Sequence, residues 1–429
     1  MRVIGIIAEY NPFHNGHEYL ISRARELVGD KRAVVLAVMS GPFTQRGLPS
    51  VLPKHVRASQ ALKCGADLVL ELPFTFACAP SERFASGAVE LLYRTGVVTD
   101  IAWGVDCEDP SLLSTLAGYD FESSDVYTSL LKASLSDGAS FPSARAEAIV
   151  GAVKAQGLDI GEDLLRNTLR QPNSILALDY LRAMRHIGAH FKVHMIPRVG
   201  SGYSSDDIVA DRPSASAIRS ELFSLQDHGH LSVAAAAVRL AGKMPDSSLA
   251  AALHAWQSGL CRLPDRDRYA NDILNRIAVS SSSELDRIAY MSDGLSGYLL
   301  NKVTDIRAGE ALFDKMAEKL VTKHFTMPRI YRSLASMLVG QSAEYIMEET
   351  HPRFIRVLGF GKEGRYCLKI MGKCARLPII HNCSDALELY SSDEALKSQF
   401  ELDLAAGNVA ASYLGMPYNS EWETPPVRI

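Results

Sequence analysis

The chain has 429 residues, 47% hydrophobic and 22% charged, with a formal net charge of −4 at pH 7. At about 150 residues per domain this length implies two or three domains, and the apolar fraction excludes a disordered chain. No stretch approaches the ~18 uncharged apolar residues of a membrane span, and the apolar run after Met1 is too short for a signal peptide, so the expected location is the cytoplasm. The acidic balance excludes a uniformly basic nucleic-acid protein, though not a local basic face.

The first half alternates strand and helix signals. Arg2–Ala8 is a continuous apolar run of the kind that forms a buried parallel strand, and a helix is expected over His17–Val28. Arg32–Met39 reads as a second buried strand, followed by the glycine- and proline-marked loop SGPFTQRGLPS. Lys54–Cys64 reads as a helix started by Pro53, and Asp67–Leu72 as a third strand ended by Pro73. Ser81–Thr95 is a capped amphipathic helix, Asp100–Trp103 a short fourth strand, Phe191–Ile196 a fifth, and Ser216–Leu225 a last helix. Repeated βα units imply a doubly wound parallel α/β sheet over residues 1–225. From 226 to 429 helical spacing dominates, with short strands expected at Arg353–Leu358 and Leu377–His381. This part is expected to be a separate, mainly helical C-terminal domain. Seven cysteines form no CxxC pair and no zinc spacing, so reduced thiols are expected.

The chemistry concentrates in Asn11-Pro12-Phe13-His14-Asn15-Gly16-His17, directly after the first strand and opening a helix. Ligand crevices lie at the carboxyl ends of such strands, and a helix N-terminus offers free N–H groups and a positive dipole end that suit phosphate. Two histidines three apart would by themselves read as cap and turn residues. Their place after strand one, with Gly16 leaving room for a flat base, points to nucleotide binding. Without Asp or Cys companions they make a poor zinc site, and no other metal site stands out. The later Ser214-Ala215-Ser216-Ala217-Ile218-Arg219 supplies a second helix start; by itself it reads equally well as a phosphate-facing motif and as an N-cap with a solvated arginine.

The HxGH pattern resembles the signature of the nucleotidyltransferase superfamily, and the SASAIR segment resembles its second motif. GIIAEYNPFHNGH, MSGPFTQRG, GADLVLELPF, Gly104, QPNSILALDY, IPRVGSGY, SASAIR, TKHFTMPRIYR and FIRVLGFGKEGR, in that order, resemble the bacterial tRNA(Met) cytidine acetate ligase family over nearly the whole chain. The resemblance implies a nucleotidyltransferase domain of the HIGH type and an ATP-dependent ligase. Such an enzyme turns acetate into acetyl-adenylate and acetylates N4 of the wobble cytidine (position 34) of elongator tRNA-Met. ATP is the implied substrate, with Mg²⁺ carried on it. Carried over by position, the ATP cradle comprises Ile7, Ala8, Glu9, Tyr10, Asn11, Pro12, Phe13, His14, Asn15, Gly16, His17, Glu18, Tyr19 and Leu20. Gly104, Asn173 and Arg198 complete it, and His14, His17, Ser216 and Arg219 are the implied catalytic groups. Asn173 has an alternative role as the cap of a helix starting at Ser174, and Lys54, a basic family position, reads also as a solvated helix residue. The chain departs from the family pattern at Pro42, where asparagine is common, and at Pro53, where an acidic residue is.

Charge patterning bears separately on RNA. Residues 315–376 hold 12 Lys and Arg against 5 Asp and Glu, a balance of +7, and the remainder, 33 against 44, is −11. Such a split fits a basic patch for a phosphate backbone, expected at Lys323, Arg329, Arg332, Arg353 and Arg356. Phe325 and Tyr331, interleaved with these cations, read as core residues. Two other readings remain open from the residues: a small-molecule adenylyltransferase, which leaves the helical half unexplained, and a non-catalytic ATP- and RNA-binding factor.

Overall fold

A computed structural model of the chain describes residues 1–107, 109–198, 212–227, 229–307 and 309–429. Residues 199–203 of the IPRVGSGY segment lie outside the described residues. Five parallel strands, β1 (Val3–Ala8), β2 (Val34–Ser40), β3 (Leu68–Leu72), β4 (Asp100–Val105) and β5 (Lys192–Pro197), stand in the order 3-2-1-4-5. Reversal of the strand order beside β1 opens a crevice at the carboxyl ends of β1 and β4. Period-two alternation splits the apolar side chains between the faces. Val3, Ile7, Leu36 and Val38 pack under the helices Ser81–Arg94 and Pro172–Ile187, while Ile4, Ile6, Val35 and Ala37 pack under α1 (Asn15–Val28) and α2 (Lys54–Lys63).

The second half is less separate than its composition suggests. After a small ladder of β6 (Gln226–Asp227) and β7 (His230–Leu231), the chain returns to the main sheet. There β8 (Ile355–Phe360) pairs antiparallel with β3, and both β9 (Ile379–Ile380) and β10 (Val427–Arg428) pair with β8. Strands β8 and β9 thus fall where short ones are expected and β10 does not, and all three extend the five-stranded sheet, so residues 226–429 do not form a unit detached from it. Pairing at a sheet edge is long-range, and a short apolar run carries no mark of its partner.

The helical segments between them pack around Tyr269, Phe313, Ile330 and Tyr331, in a core that also takes in Phe43 and Phe74 of the first half, and they brace the loops at the top of the sheet. Asn15 Nδ2 donates to the Gly242 carbonyl (2.8 Å), Ser248 Oγ to that of Phe13 (3.0 Å), and Tyr269 Oη to that of Gly47 (3.1 Å). Gly47 has φ +81, and a Cβ there would sit 2.3 Å from the Tyr331 backbone. Gly47→Ala is therefore expected to cost about 2 kcal/mol or more, combining left-handed strain with a backbone clash. A urea midpoint within error of the parent would contradict this reading.

Candidate active site

The loop after β1 is held from below by Arg57. This fully buried guanidinium donates to the carbonyls of Glu9 (2.7 Å), Ser40 (3.0 Å), Leu52 (3.1 Å) and Gly41. Burial lowers its pKa to about 10, and its bonds satisfy backbone acceptors that a turning chain leaves open. Asn11 Oδ1 accepts from the Val51 N–H (2.8 Å), which fixes the other side of the loop.

The two histidines form a reciprocal cap. His14 is the N-cap of α1, and its Nδ1 accepts from the Gly16 N–H (3.0 Å), while His17 Nδ1 accepts from the His14 N–H (3.2 Å). With both Nδ1 atoms accepting, each neutral ring carries its proton on Nε2. Burial, reinforced by Arg198 and Arg219, pulls His14 down to about 3. Burial and then the His14 charge pull His17 well below the ordinary histidine value. Both rings are thus neutral Nε2–H donors near pH 7, with centroids 3.9 Å apart. A Cβ on Gly16 would lie 2.8 Å from His14 Cε1, so only glycine lets the ring reach the amide. Helix α1 consequently begins at Asn15, not His17: histidine does here what capping rules assign to Ser, Thr, Asp or Asn.

The cleft above these rings gathers most of the expected residues. Ile7, Ala8, Glu9, Tyr10 and Asn11 line it, followed by His14, Gly16, His17, Tyr19 and Leu20. Gly104, Asn173, Arg198, Ser216 and Arg219 line it from β4, β5 and two further helices. Four expected residues do not. Phe13 is fully buried against Tyr10 and His17, and Pro12 is likewise buried. Asn15 and Glu18 face a neighbouring surface hollow. Residues missed in the sequence also line the cleft: Gln45, Arg46, Trp103, Tyr180, Arg212 and Ser214. Arg46 lies in the TQRG segment after β2 and Trp103 beside Gly104, positions whose topology was the available signal; Tyr180, 5.2 Å from Trp103 by ring centroid, closes the QPNSILALDY segment, which was the available signal for it.

Three helices bring their first turns to this cleft, through Gly16, Asn173 and Ser216. Among the described residues, Arg46, Arg198, Arg212 and Arg219 line it against a single carboxylate, Glu9. Helix dipoles and guanidinium groups thus favour a polyanion. Arg219 joins the two motifs, donating to the Asn11 carbonyl (2.8 Å) and to Ser216 Oγ (3.0 Å). Asn173 is not a helix cap: the helix starts at Pro172, and Asn173 Nδ2 donates to Asp106 Oδ2 (2.6 Å). At Gly104 the space of a side chain is taken by Arg198, whose Cγ would lie 3.1 Å from a Cβ.

Several cations stand elsewhere than expected. Lys54 is buried, bonded to both oxygens of Glu71 (2.8 and 2.7 Å) and 2.5 Å from Glu421, so it is not a solvated helix residue. Carboxylates from β3 and the C-terminal tail thus meet this lysine, although Pro53 precedes it. Arg356, expected at an RNA surface, is buried in the same cluster, 2.7 Å from Glu421 and 3.5 Å from Glu71. That expectation is corrected: the group is spent on internal carboxylates. Of the other four, Lys323 is exposed, Arg329 pairs with Asp293 (2.7 Å), Arg353 pairs with Glu349 (2.8 Å), and Arg332 donates to the Gln45 carbonyl (3.3 Å). Phe325 and Tyr331 are buried core residues.

A parallel sheet with an HxGH helix start and a cationic cleft at its switch point defines a nucleotidyltransferase. The sequence profile of the HIGH nucleotidyl transferase family matches residues 1–423. A tRNA(Met) cytidine acetate ligase of Acetivibrio thermocellus is 31% identical, over 95% of this chain and 94% of that protein. One of Thermotoga maritima is 33% identical over 93% of each chain. Two crystal structures of Thermotoga maritima TmcAL also match over 100% of both chains: an apo form (TM-score 0.89, 30% identity) and one bound with alpha-thio ATP (TM-score 0.86, 29% identity). The chain belongs to the HIGH nucleotidyl transferase family and, within it, to the family of the tRNA(Met) cytidine acetate ligases.

Proposed function

We propose that this chain activates acetate with ATP and acetylates N4 of the wobble cytidine of elongator tRNA-Met. The single observation that carries the reading is the pair of neutral Nε2–H donors at a helix N-terminus, facing Arg198 and Arg219 across one cleft. It is supported by full-length similarity to tRNA(Met) cytidine acetate ligases, and by the nucleotide analogue bound in one of them.

In this scheme an acetate oxygen attacks the α-phosphorus of ATP, the α–β bridging bond breaks, and pyrophosphate leaves. His14 and His17 donate to phosphate oxygens as charge grows on them, an electrostatic role that needs no proton transfer from the rings. Arg198 and Arg219 hold the departing pyrophosphate. The cytidine amine then attacks the acyl carbon, AMP leaves, and the amine loses a proton. Every cysteine lies outside the nucleotide motifs, which favours direct transfer over an acetyl-enzyme. Magnesium enters on the nucleotide's phosphates; among the described residues no group of three or more His, Cys, Asp or Glu side chains is arranged to hold a metal. Among the described residues no helix is long and apolar enough to cross a membrane, and the proposed location is the cytoplasm.

Exchange of labelled pyrophosphate into ATP tests the first step. Exchange that requires acetate is the expected result. Exchange or release that requires a phosphate-bearing acceptor would replace the reading with a small-molecule adenylyltransferase, and ATP binding without exchange would replace it with a non-catalytic factor.

A further inference from the structure

We propose that a second groove, continuous with the nucleotide cleft, holds the single-stranded RNA segment that presents the acceptor base; this rests on the transfer reading above. The groove has a volume of about 590 Å³, within the range of ligand-sized clefts. It shares Gln45, Arg46 and Leu176 with the nucleotide cleft, so an occupant reaches the activated acyl group without leaving the protein. One wall, with Ile149, Leu169 and Ile175, comes from the catalytic half, and the other, with Tyr290, His324 and Arg332, comes from the helical half. A base inserted between them meets an apolar face on one side and aromatic rings on the other, the surroundings that unstacked bases favour.

Charge selects a polyanion. Of the five arginines among the described residues that line the groove, Arg145 is spent on Glu82 (3.0 Å), Asp179 (2.8 Å) and Glu122 (3.4 Å) and Arg329 on Asp293 (2.7 Å), so the positive charge offered to an occupant comes from Arg170 and Arg332, with Arg46 at the junction of the two clefts. Arg170 is exposed at the edge, with no ion-pair partner among the described residues.

Two residues of the groove wall carry buried polar atoms without a hydrogen bond among the described residues, Tyr290 Oη and Arg332 Nε, a cost in free energy that turning either side chain toward a bound ligand relieves. Tyr290 itself holds φ 64, a left-handed conformation unusual for a bulky residue and concentrated at binding sites.

The competing surface is the exposed basic face of the helix Lys362–Cys374, with Lys362, Arg365, Lys369 and Lys373. Its start is tied to the amino end of β3 by the Gly361 N–H bond to the Asp67 carbonyl (2.9 Å), at the end of the sheet opposite the cleft. A base bound there stands across the sheet from the nucleotide.

The test is RNA binding by the full chain, with an anticodon stem–loop of tRNA-Met carrying 4-thiouridine beside the wobble position. Arg170→Glu is expected to weaken binding about tenfold and to lower the salt slope by about 1, while Arg365→Glu leaves affinity within about twofold. Crosslinks are expected on peptides containing Tyr290 or His324. Crosslinks on residues 362–374, with Arg365→Glu weakening binding and Arg170→Glu silent, would overturn the proposal, as would absence of RNA binding by the parent protein. Thermal melting verifies that both variants fold. Acetate-dependent pyrophosphate exchange needs no RNA, so it judges the underlying reading separately.

Discussion

His17→Ala is expected to lower acetate-dependent pyrophosphate exchange by about 10²–10³-fold, the loss typical of one preorganised donor to a developing oxyanion. The side chain has two jobs, and they separate in energy. Its Nδ1 accepts the His14 N–H and so completes the cap of α1, a bond whose loss costs about 1 kcal/mol. Its Nε2–H faces the cleft, where water is displaced by nucleotide and a missing donor is not replaced. Folding should therefore survive while activation fails. His17→Gln makes the distinction sharper, because glutamine at this position accepts the same backbone bond in ordinary capping boxes. Stability close to the parent's, together with exchange still at least tenfold down, is the expected pair of results. Exchange near the parent rate in either variant would show that the ring serves only the cap.

The largest expected loss of stability is at Glu421. This buried carboxylate lies 2.5 Å from Lys54 and 2.7 Å from Arg356, and Glu71 completes a cluster of two cations and two anions. Burial and the Glu71 charge push the Asp403 carboxyl upward, toward its neutral form, which keeps the surroundings of the cluster near charge balance. Glu421→Gln removes one anion and leaves a buried positive charge unbalanced, at a cost of about 3–5 kcal/mol. Lys54 and Arg356 hold the Glu421 carboxyl down at about 2, so its stabilising effect is complete above pH 4.5 and disappears as pH falls toward 2. Urea unfolding at pH 7 should show the full difference between parent and variant, and the difference should shrink on acidification below pH 4.5. A variant within 1 kcal/mol of the parent at pH 7 would contradict the description of this cluster as closed and balanced.

The parallel βα character of β1 to β5 was legible because strand-like runs, nearly continuous and apolar in β1 and β2, alternate with helical patterns. The HxGH and SASAIR segments were legible because a topological rule places them at one crevice. The reach of α1 back to Asn15 was not, since its cap is histidine. Lys54 and Arg356 read as exposed because single charges in sequence normally are. Their burial depends on Glu71 and Glu421 arriving from β3 and the C-terminal tail, contacts that no local pattern records. The same holds for β8, whose antiparallel place beside β3 bends the second half back onto the sheet. Trp103 and Tyr180 entered the cleft through the pairing of strand and helix, which spacing alone does not reveal.

The most direct test of the whole account is nucleoside mass spectrometry of tRNA-Met incubated with the purified protein, ATP and isotopically labelled acetate. The account predicts labelled N4-acetylcytidine at the wobble position, formed only when ATP, acetate and protein are all present, and absent with His17→Ala. Acetate-dependent pyrophosphate exchange with no acetylated cytidine in the RNA would contradict it, by showing an activated acetyl group that goes to another acceptor.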